Sequence, residues 1–179
     1  MIALRKRSGK ITGEVFLNGF EQDPISFRRC SGYVEQFDVQ SPELTVRETV
    51  LFSARLRLDT RNMRSEDQID SYVDHIIDDV ELSELSGSLV GSGDGAGLSF
   101  EQKKRLSIAV ELAASPSILF LDEVSFGMII DFDAICSGSH LLPKPTSGLD
   151  ARSALLVVRL LRKICNSGRT IVATVSQYA

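Results

Sequence analysis

The chain has 179 residues, of which 43% are apolar and 25% are charged, and its formal net charge at pH 7 is −4. This length and apolar content predict one globular domain with a sizeable core. The acidic balance provides no basic footprint, so we expect no nucleic-acid partner. The 3 cysteines are odd in number and lack the spacing of metal ligands, which suits a reducing cytosol.

Two short basic clusters, residues 5–7 and residues 103–105, are predicted to be solvated faces. No apolar run approaches the length of a membrane-spanning helix, and the first residues are too basic for a signal peptide. We therefore expect any link to a membrane to come through a partner or through a further part of the protein.

The N-terminal part of the chain predicts two strands. Residues 1–6 have the pattern of a helix end, and residues 11–17 alternate like a strand that closes on a turn signal at residues 18–19. Residues 32–35 predict the second strand, and Gln36 follows it directly.

Two helices with regularly spaced apolar residues are expected next. Thr45 and Glu48 have the form of a capping box, which predicts a helix start. The apolar residues of this helix are Val46, Val50, Leu51, Ala54 and Leu58. Those of the following helix are Ile69, Val73, Ile76, Ile77 and Val80. Its aspartates raise the alternative of a metal site, but they lack the glycine-turn spacing of a calcium loop, so we interpret them as a solvated face.

A third helix should begin at Ser99, after a glycine- and serine-rich stretch, residues 86–97, that predicts a flexible lead. Ser99 and Gln102 form another capping box, which leaves the positively polarised end of the helix exposed and so predicts an anion site. Its apolar side consists of Leu106, Ile108, Ala109 and Leu112. Pro116 prevents the helix from continuing.

Residues 118–121 form an unbroken apolar run, the pattern of a strand that is covered on both faces of a parallel sheet. Asp122 and Glu123 come directly after it, at the strand end where open α/β sheets bind their ligands. Further along, Asp150 is expected to cap a helix that reaches Asn166, and residues 170–175 predict another buried strand.

Three motifs in this order resemble those of an ATP-binding cassette (ABC) domain. Residues 98–102 (LSFEQ) resemble the signature motif, residues 118–123 (ILFLDE) the Walker B motif, and residues 147–150 (SGLD) the D-loop. The surrounding residues are most similar to the pleiotropic drug resistance type, the G subfamily, and within it to the second cassette of full-length transporters. Apart from one internal block, the resemblance covers the whole chain.

The resemblance implies an α/β fold with a P-loop NTPase-like ABC ATPase core. Residues 1–179 would form a partial nucleotide-binding domain, with a helical subdomain and signature region at about residues 43–115. We expect it to be incomplete at the N-terminus, because the family places its phosphate-binding loop (Walker A) upstream of the segment that residues 1–6 resemble. The pattern Gly-x-x-x-x-Gly-Lys-Ser/Thr does not occur in the sequence.

The resemblance also implies ATP and Mg²⁺ as cofactors. Asp122 would hold the Mg²⁺, and Glu123 would orient and deprotonate the attacking water. Gln36, the Q-loop residue, would touch the Mg²⁺ and that water. The alternatives are that Gln36 is only a polar loop residue and that the two acids only cap the next helix. Ser176 stands where the family has its switch histidine, and we do not carry that role over.

Other residues would act across a dimer interface with a second nucleotide-binding domain. Ser99 and Gln102 of the signature motif and Asp150 of the D-loop would meet the ATP that the other cassette holds. Phe100 and Glu101 depart from the two glycines of the common pattern. We expect their ring and carboxylate to crowd and repel phosphate.

Residues 124–144 interrupt the resemblance. Family members continue from Asp-Glu directly into Pro-Thr-Ser-Gly-Leu-Asp, which stands here at residues 145–150. Val-Ser can be encoded GTAAGT and Lys as AAG, the usual ends of an intron, so we interpret the block as an unspliced intron. The alternative is an evolved regulatory loop, and transcript sequencing distinguishes the two.

The function that the resemblance implies is that of a fragment of the ATP-binding and hydrolysing domain of an ABC exporter. Its partners would be a second nucleotide-binding domain and the transmembrane domain of the transporter, on the cytoplasmic face of the membrane. Two alternatives stand beside it. One is a non-catalytic fragment that docks on another cassette, and the other is a pseudogene or misassembled gene with no activity.

Overall fold

The computed structural model describes residues 12–36, 39–58, 65–92, 97–122 and 151–174, with residues 3 and 10, and of residues 151–155 it describes only the backbone. In chain order the elements are β1 (Phe16–Leu17), β2 (Phe20–Glu21), α1 (Pro24–Cys30), β3 (Ser31–Val34), α2 (Val46–Arg57), α3 (Glu66–Asp79), a 3-10 turn (Ser83–Leu85), α4 (Phe100–Leu112), β4 (Ile118–Leu121), α5 (Ala151–Asn166) and β5 (Thr170–Ala173). None of the helices in these ranges is long and apolar enough to cross a membrane.

The central feature is a parallel sheet of 3 strands in the order β3-β4-β5. Val34 of β3 is paired with Leu121 of β4, and Leu121 is paired with Ala173 of β5. Parallel neighbours require long crossover connections, and between β3 and β4 that connection contains α2, α3 and α4. The three carboxyl ends therefore lie side by side at one edge, as the α/β prediction requires.

The central strand β4 is covered on both faces, as its apolar run predicts. On one face, Phe120 packs against Phe27 of α1, with ring centroids 5.9 Å apart. On the other face, Leu119 and Leu121 join the main core, which is built from buried residues of all the helices α2 to α5. Successive side chains of a strand point to opposite faces, so a strand between two apolar layers is apolar at every position.

Capping boxes start the three helices of the crossover. The predicted pairs Thr45 with Glu48 and Ser99 with Gln102 each make both reciprocal hydrogen bonds. Ser65 and Gln68 form a further box at the start of α3, which is not among the predicted pairs. Each box satisfies backbone N–H groups that the first helical turn leaves without partners.

The lead into α4 is not the flexible stretch that its glycine and serine content predicts, at least over residues 86–91. This segment lies along residues 42–47, joined to it by backbone hydrogen bonds of 2.9–3.1 Å. The hydrogen bond from Val90 N–H to the Leu44 carbonyl is one of them. Hydrogen bonding to the start of α2 therefore overrides the local composition.

The structure corrects two further predictions and adds a helix. Of the strand predicted over residues 11–17, the described residues 12–17 contain only the two-residue β1, which forms a hairpin with β2 through a turn with positive φ at residues 18–19. Helix α1 is not among the predicted elements, although Asp23 caps it and Pro24 begins it. Strand β5 is half exposed rather than buried, since within the described part of the chain it has a neighbour on one side only.

Gly97 lies between the lead at residues 86–91 and the start of α4, so its substitution tests how the two are joined. Its φ is +127°, and a Cβ at this position would lie 2.5 Å from the Val90 carbonyl oxygen. We expect Gly97→Ala to lower the free energy of unfolding by about 2 kcal/mol or more, because strain and steric overlap add. Urea unfolding measures this difference. A Cβ at Gly87 has nothing within 4 Å, so Gly87→Ala is the matched control, and equal losses in both variants would contradict the prediction.

Candidate functional site

The carboxyl edge of the sheet holds Asp122 in a defined position. Its backbone N–H donates to the Val34 carbonyl at 2.9 Å, which continues the ladder between β4 and β3 by one residue. The Tyr33 hydroxyl donates to Oδ2 of Asp122, and the Thr174 hydroxyl donates to Oδ1 at 3.2 Å. The side chain is therefore fixed by one donor from each neighbouring strand end.

This arrangement fits a hard cation. An ionised carboxylate has about four lone-pair positions on its two oxygens, so two hydrogen bonds leave acceptor capacity for a metal ion. Asp122 is partly exposed, which leaves it accessible from the sheet edge. Carboxylate and amide oxygens are the ligands that Mg²⁺ takes in proteins.

Gln36 lies two residues beyond Val34, and Asp122 lies one residue beyond the strand position paired with Val34. The two therefore follow neighbouring strands at the same edge of the sheet, as the sequence predicts. Gln36 is half-buried, and its backbone carbonyl accepts a hydrogen bond of 2.9 Å from Nζ of Lys104.

The signature segment presents an exposed helix start. Ser99 is exposed, its Oγ accepts from the Gln102 N–H at 3.3 Å, and its own N–H donates to Oε1 of Gln102 at 2.8 Å. The Gln102 side chain is thus turned toward the start of the helix. Phe100 is 60% exposed beside it. An apolar ring and the positive end of α4 therefore share this surface.

Glu101, which we expect to repel phosphate, forms an ion pair within α4. Its Oε1 lies 2.9 Å from Nε of Arg105, one turn further along α4, and the two side chains are only 19% and 8% exposed. Arg105 also donates to the backbone carbonyls of Val80 and Glu81 at 3.1 and 3.0 Å. The negative charge is therefore paired along the helix, and Arg105 connects α4 to the end of α3.

The predicted solvated face at residues 103–105 is wrong. Lys104 is 3% exposed and Arg105 is 7% exposed, and both donate to backbone carbonyls of other segments. The helical spacing could have indicated the burial of Lys104. It stands four residues before Ile108 and eight before Leu112, on a buried face of the helix. Residues 5–7, the other basic cluster, lie outside the described residues.

Several predicted site residues also fall outside the described ranges. They are Glu123, Asp150, residues 147–149 of the D-loop, the block at 124–144 and Ser176. The structure thus brings together Asp122, Tyr33 and Thr174. Gln36 follows β3, the strand next to the one that Asp122 follows. The Ser99–Gln102 pair forms a separate surface at the start of α4.

Comparisons with known proteins identify the family of this chain. Residues 2–125 match the model of the ABC transporter family, so the match ends two residues into the 124–144 block. The chain is 48% identical over 177 residues to ABC transporter G family member 32 of Arabidopsis thaliana. It is 44% identical over 177 residues to the pleiotropic drug resistance protein TUR2 of Spirodela polyrhiza and to the ABC multidrug transporter G of Aspergillus fumigatus.

Each of these alignments covers 99% of this chain but only 10–11% of the relative, so the chain spans about a tenth of their length. Among solved structures it is similar to cbiO1 of Clostridium perfringens, described as part of the ABC transporter complex cbiONQ. The TM-score is 0.67 at 26% identity, over 98% of this chain and 59% of the other.

The fold and these matches thus identify a nucleotide-binding domain of the P-loop ATPase class. The chain belongs to the ABC transporter family, as a fragment of a nucleotide-binding domain of the G subfamily, the pleiotropic drug resistance type.

Tyr33→Phe tests how Asp122 is held. The variant removes only the hydroxyl that donates to Oδ2. We expect the free energy of unfolding at pH 7 to fall by about 1.5 kcal/mol, the lower end of the range for a hydrogen bond to a charged group, because Asp122 is partly exposed. Denaturant titration measures the loss. Thr174→Val, which removes the longer bond, should cost less, and a Tyr33→Phe variant as stable as the parent chain would contradict the account.

Proposed function

We propose that this chain is part of the ATP-binding and hydrolysing domain of an ABC exporter, in which hydrolysis of ATP drives transport across a membrane. The observation that carries the proposal is the pair of hydrogen bonds that fix Asp122 at the carboxyl end of β4, one strand away from Gln36. Open α/β sheets bind phosphate-bearing ligands at this edge. Membership of the family supports ATP as the nucleotide.

In this proposal Asp122 holds Mg²⁺, directly or through water, with the help of Gln36. The bound ion would neutralise charge on the phosphates. The contribution of this chain is to keep the Asp122 carboxylate in one orientation, through Tyr33 and Thr174, so that little reorganisation is needed when the nucleotide arrives. Glu123, the next residue along the chain, would orient the attacking water and accept its proton.

The signature surface is proposed to meet a second nucleotide-binding domain. Ser99 is exposed at the positive end of α4, which suits the γ-phosphate of an ATP that the partner holds. Gln102 shapes this end through the capping box, and Asp150 would approach from the D-loop. The exposed ring of Phe100 would hinder the approach of phosphate to the start of α4. This supports the resemblance to the second cassette, because the composite site that uses its signature motif is the weaker one.

The same exposed surface favours a second candidate function, that of a non-catalytic fragment that docks on an intact cassette. It needs the start of α4, where Ser99 and Phe100 are exposed, but it needs neither ATP nor Mg²⁺ on this chain. Nucleotide binding therefore separates the two candidates.

A groove between the Q-loop and α2 is proposed to receive the transmembrane domain. It has a volume of about 610 Å³, and its lining includes Val39, Phe52 and Leu56, which are 78%, 63% and 69% exposed. Exposed apolar side chains that cluster in a groove mark an interaction site, and an apolar helix face is a typical occupant. Since the chain spans about a tenth of its transporter relatives, the membrane part lies elsewhere in such proteins. Docking there would hold this chain at the cytoplasmic face.

Equilibrium dialysis tests nucleotide binding. The purified chain is expected to bind ATP in the presence of Mg²⁺ at millimolar nucleotide, and Asp122→Asn is expected to weaken this binding about tenfold. Asp67→Asn, an exposed acid on α3, is the matched control and should bind like the parent chain. Absence of binding at millimolar ATP would contradict the ATPase proposal, and persistent capture of an intact cassette would then support the docking fragment.

The groove is tested by co-purification with the detergent-solubilised membrane domain of the Arabidopsis relative. Phe52→Asp and Leu56→Asp place charges in the groove, and we expect each to reduce capture about tenfold or more without changing nucleotide binding. Ile25→Asp is the control, since Ile25 is 67% exposed on α1 and does not line the groove. Equal capture by all three variants would exclude this groove as the docking site.

A further inference from the structure

Three polar residues of α4 lie on one side of the helix and contact β3 or the segment that follows it. Lys104, Ser107 and Glu111 are three and seven residues apart, so at 3.6 residues per turn they fall within about 60° of one another around the axis. All three are shielded, since Lys104 and Ser107 are buried and the Glu111 side chain is 19% exposed. Apart from Arg105, the other buried residues of this helix, Leu106, Ile108, Ala109 and Leu112, are apolar.

Lys104 binds the Q-loop backbone. Its Nζ donates to the Glu35 carbonyl at 3.0 Å and to the Gln36 carbonyl at 2.9 Å. An ammonium group is buried only where hydrogen bonds replace its hydration, so these two carbonyls fix the position of the lysine and the lysine fixes theirs. The contact joins residues 68 and 69 positions apart in the chain.

Ser107 and Glu111 bind the same segment on either side. Nε2 of Gln40 donates to the Ser107 hydroxyl at 2.8 Å. Oε2 of Glu111 accepts from the Tyr33 N–H at 3.0 Å, and the same carboxylate receives both terminal nitrogens of Arg57 at 2.9 and 2.8 Å. The contacts thus run from Tyr33, inside β3, to Gln40, beyond the Q-loop residue.

Gly32 shows how closely the helix approaches the strand. A Cβ at this position would lie 3.1 Å from Oε2 of Glu111 and 3.0 Å from a Leu119 methyl carbon. The strand can approach the polar face of α4 because it has no side chain there.

We propose that Lys104, Ser107 and Glu111 form a polar seam that positions Gln36 relative to α4, the helix that begins in the signature motif. Lys104 lies only about 7.5 Å along the helix axis from Ser99, at 1.5 Å per residue. The seam therefore links the start of α4 to the backbone around Gln36. Its members are positioning residues, and two of them, Ser107 and Glu111, also line the groove between the Q-loop and α2. The consequence for transport rests on the proposed function, whereas the seam itself is independent of nucleotide.

The seam predicts that Gln36 loses its fixed position when Lys104 loses its donor. We expect Lys104→Met to lower the ¹⁵N order parameters of the Gln36 and Gln40 amides from about 0.85 to below about 0.6, the values for rigid and flexible backbone. The measurement uses the full chain without ATP or Mg²⁺. Residues 118–121 of β4 should keep their order parameters.

Two variants separate positioning from a general loss of structure. Lys104→Arg retains a cationic donor and should restore the parent values at Gln36. Lys103→Met is the matched control on the same helix, since Nζ of Lys103 donates to the Gly91 carbonyl at 2.7 Å and not to the Q-loop. It should leave Gln36 and Gln40 unchanged.

The proposal is overturned if folded Lys104→Met leaves Gln36 as rigid as in the parent chain, or if it mobilises β4 to the same extent. Should Lys104→Met fail to fold, Ser107→Ala decides. It removes the acceptor of the Gln40 contact, together with a bond of 3.1 Å to the Lys103 carbonyl within α4, and it should mobilise Gln40 while β4 stays rigid. Dialysis with ATP tests the proposed function separately. Unchanged order parameters would overturn the seam, and absence of ATP binding would overturn the proposed function, so the two failures are distinguishable.

Discussion

The parallel pairing of β4 with β3 on one side and β5 on the other is the constraint on which the rest of the structure depends. It brings together three strand ends that are far apart in the sequence, and so places Asp122 between the hydroxyls of Tyr33 and Thr174. The pairing is maintained by burial of β4 on both faces, with Phe120 against α1 and its neighbours against the helical core. A site made of single residues from distant segments is stable only on such a scaffold.

Helix α4 connects the two surfaces on which the proposed function depends. Its first turn presents Ser99 to solvent, while its buried middle turns hold the backbone around Gln36 through Lys104. Arg105 ties the same helix to the end of α3, and Glu111 ties it to α2 through Arg57. Helix α4 is therefore joined by hydrogen bonds and ion pairs to the backbone at the sheet edge, to the end of α3 and to the groove beside the Q-loop.

Much of this fold is predictable from the sequence because its signals are local. The capping boxes at Thr45 and Ser99 and the apolar run of β4 specify elements whose bounds the structure reproduces. The position of Asp122 at the carboxyl edge is predictable because it follows a buried parallel strand, and its role in binding stays a prediction. The prediction of Glu123 and Asp150 as site residues remains a prediction, since both lie outside the described residues.

The misses depend on tertiary contacts. Lys104 has the charge of a surface residue, and only the carbonyls of a segment nearly seventy positions away explain its burial. The exposure of β5 depends on which strands neighbour it, which its own residues do not encode. The pairing of Glu101 with Arg105 was also missed, but it could have been predicted from the sequence, because the two residues have the spacing of an i,i+4 ion pair on a helix.

The central claim is that the carboxyl edge of the sheet is a metal–nucleotide site, and paramagnetic broadening by Mn²⁺ with ATP tests it most directly. Mn²⁺ takes the same oxygen ligands as Mg²⁺, and it broadens nearby amide signals even when binding is weak. The account predicts selective broadening at Gln36, Asp122 and Thr174, which Asp122→Asn abolishes. Broadening centred instead on the aspartates of α3, or none at the sheet edge at millimolar ATP, would contradict it.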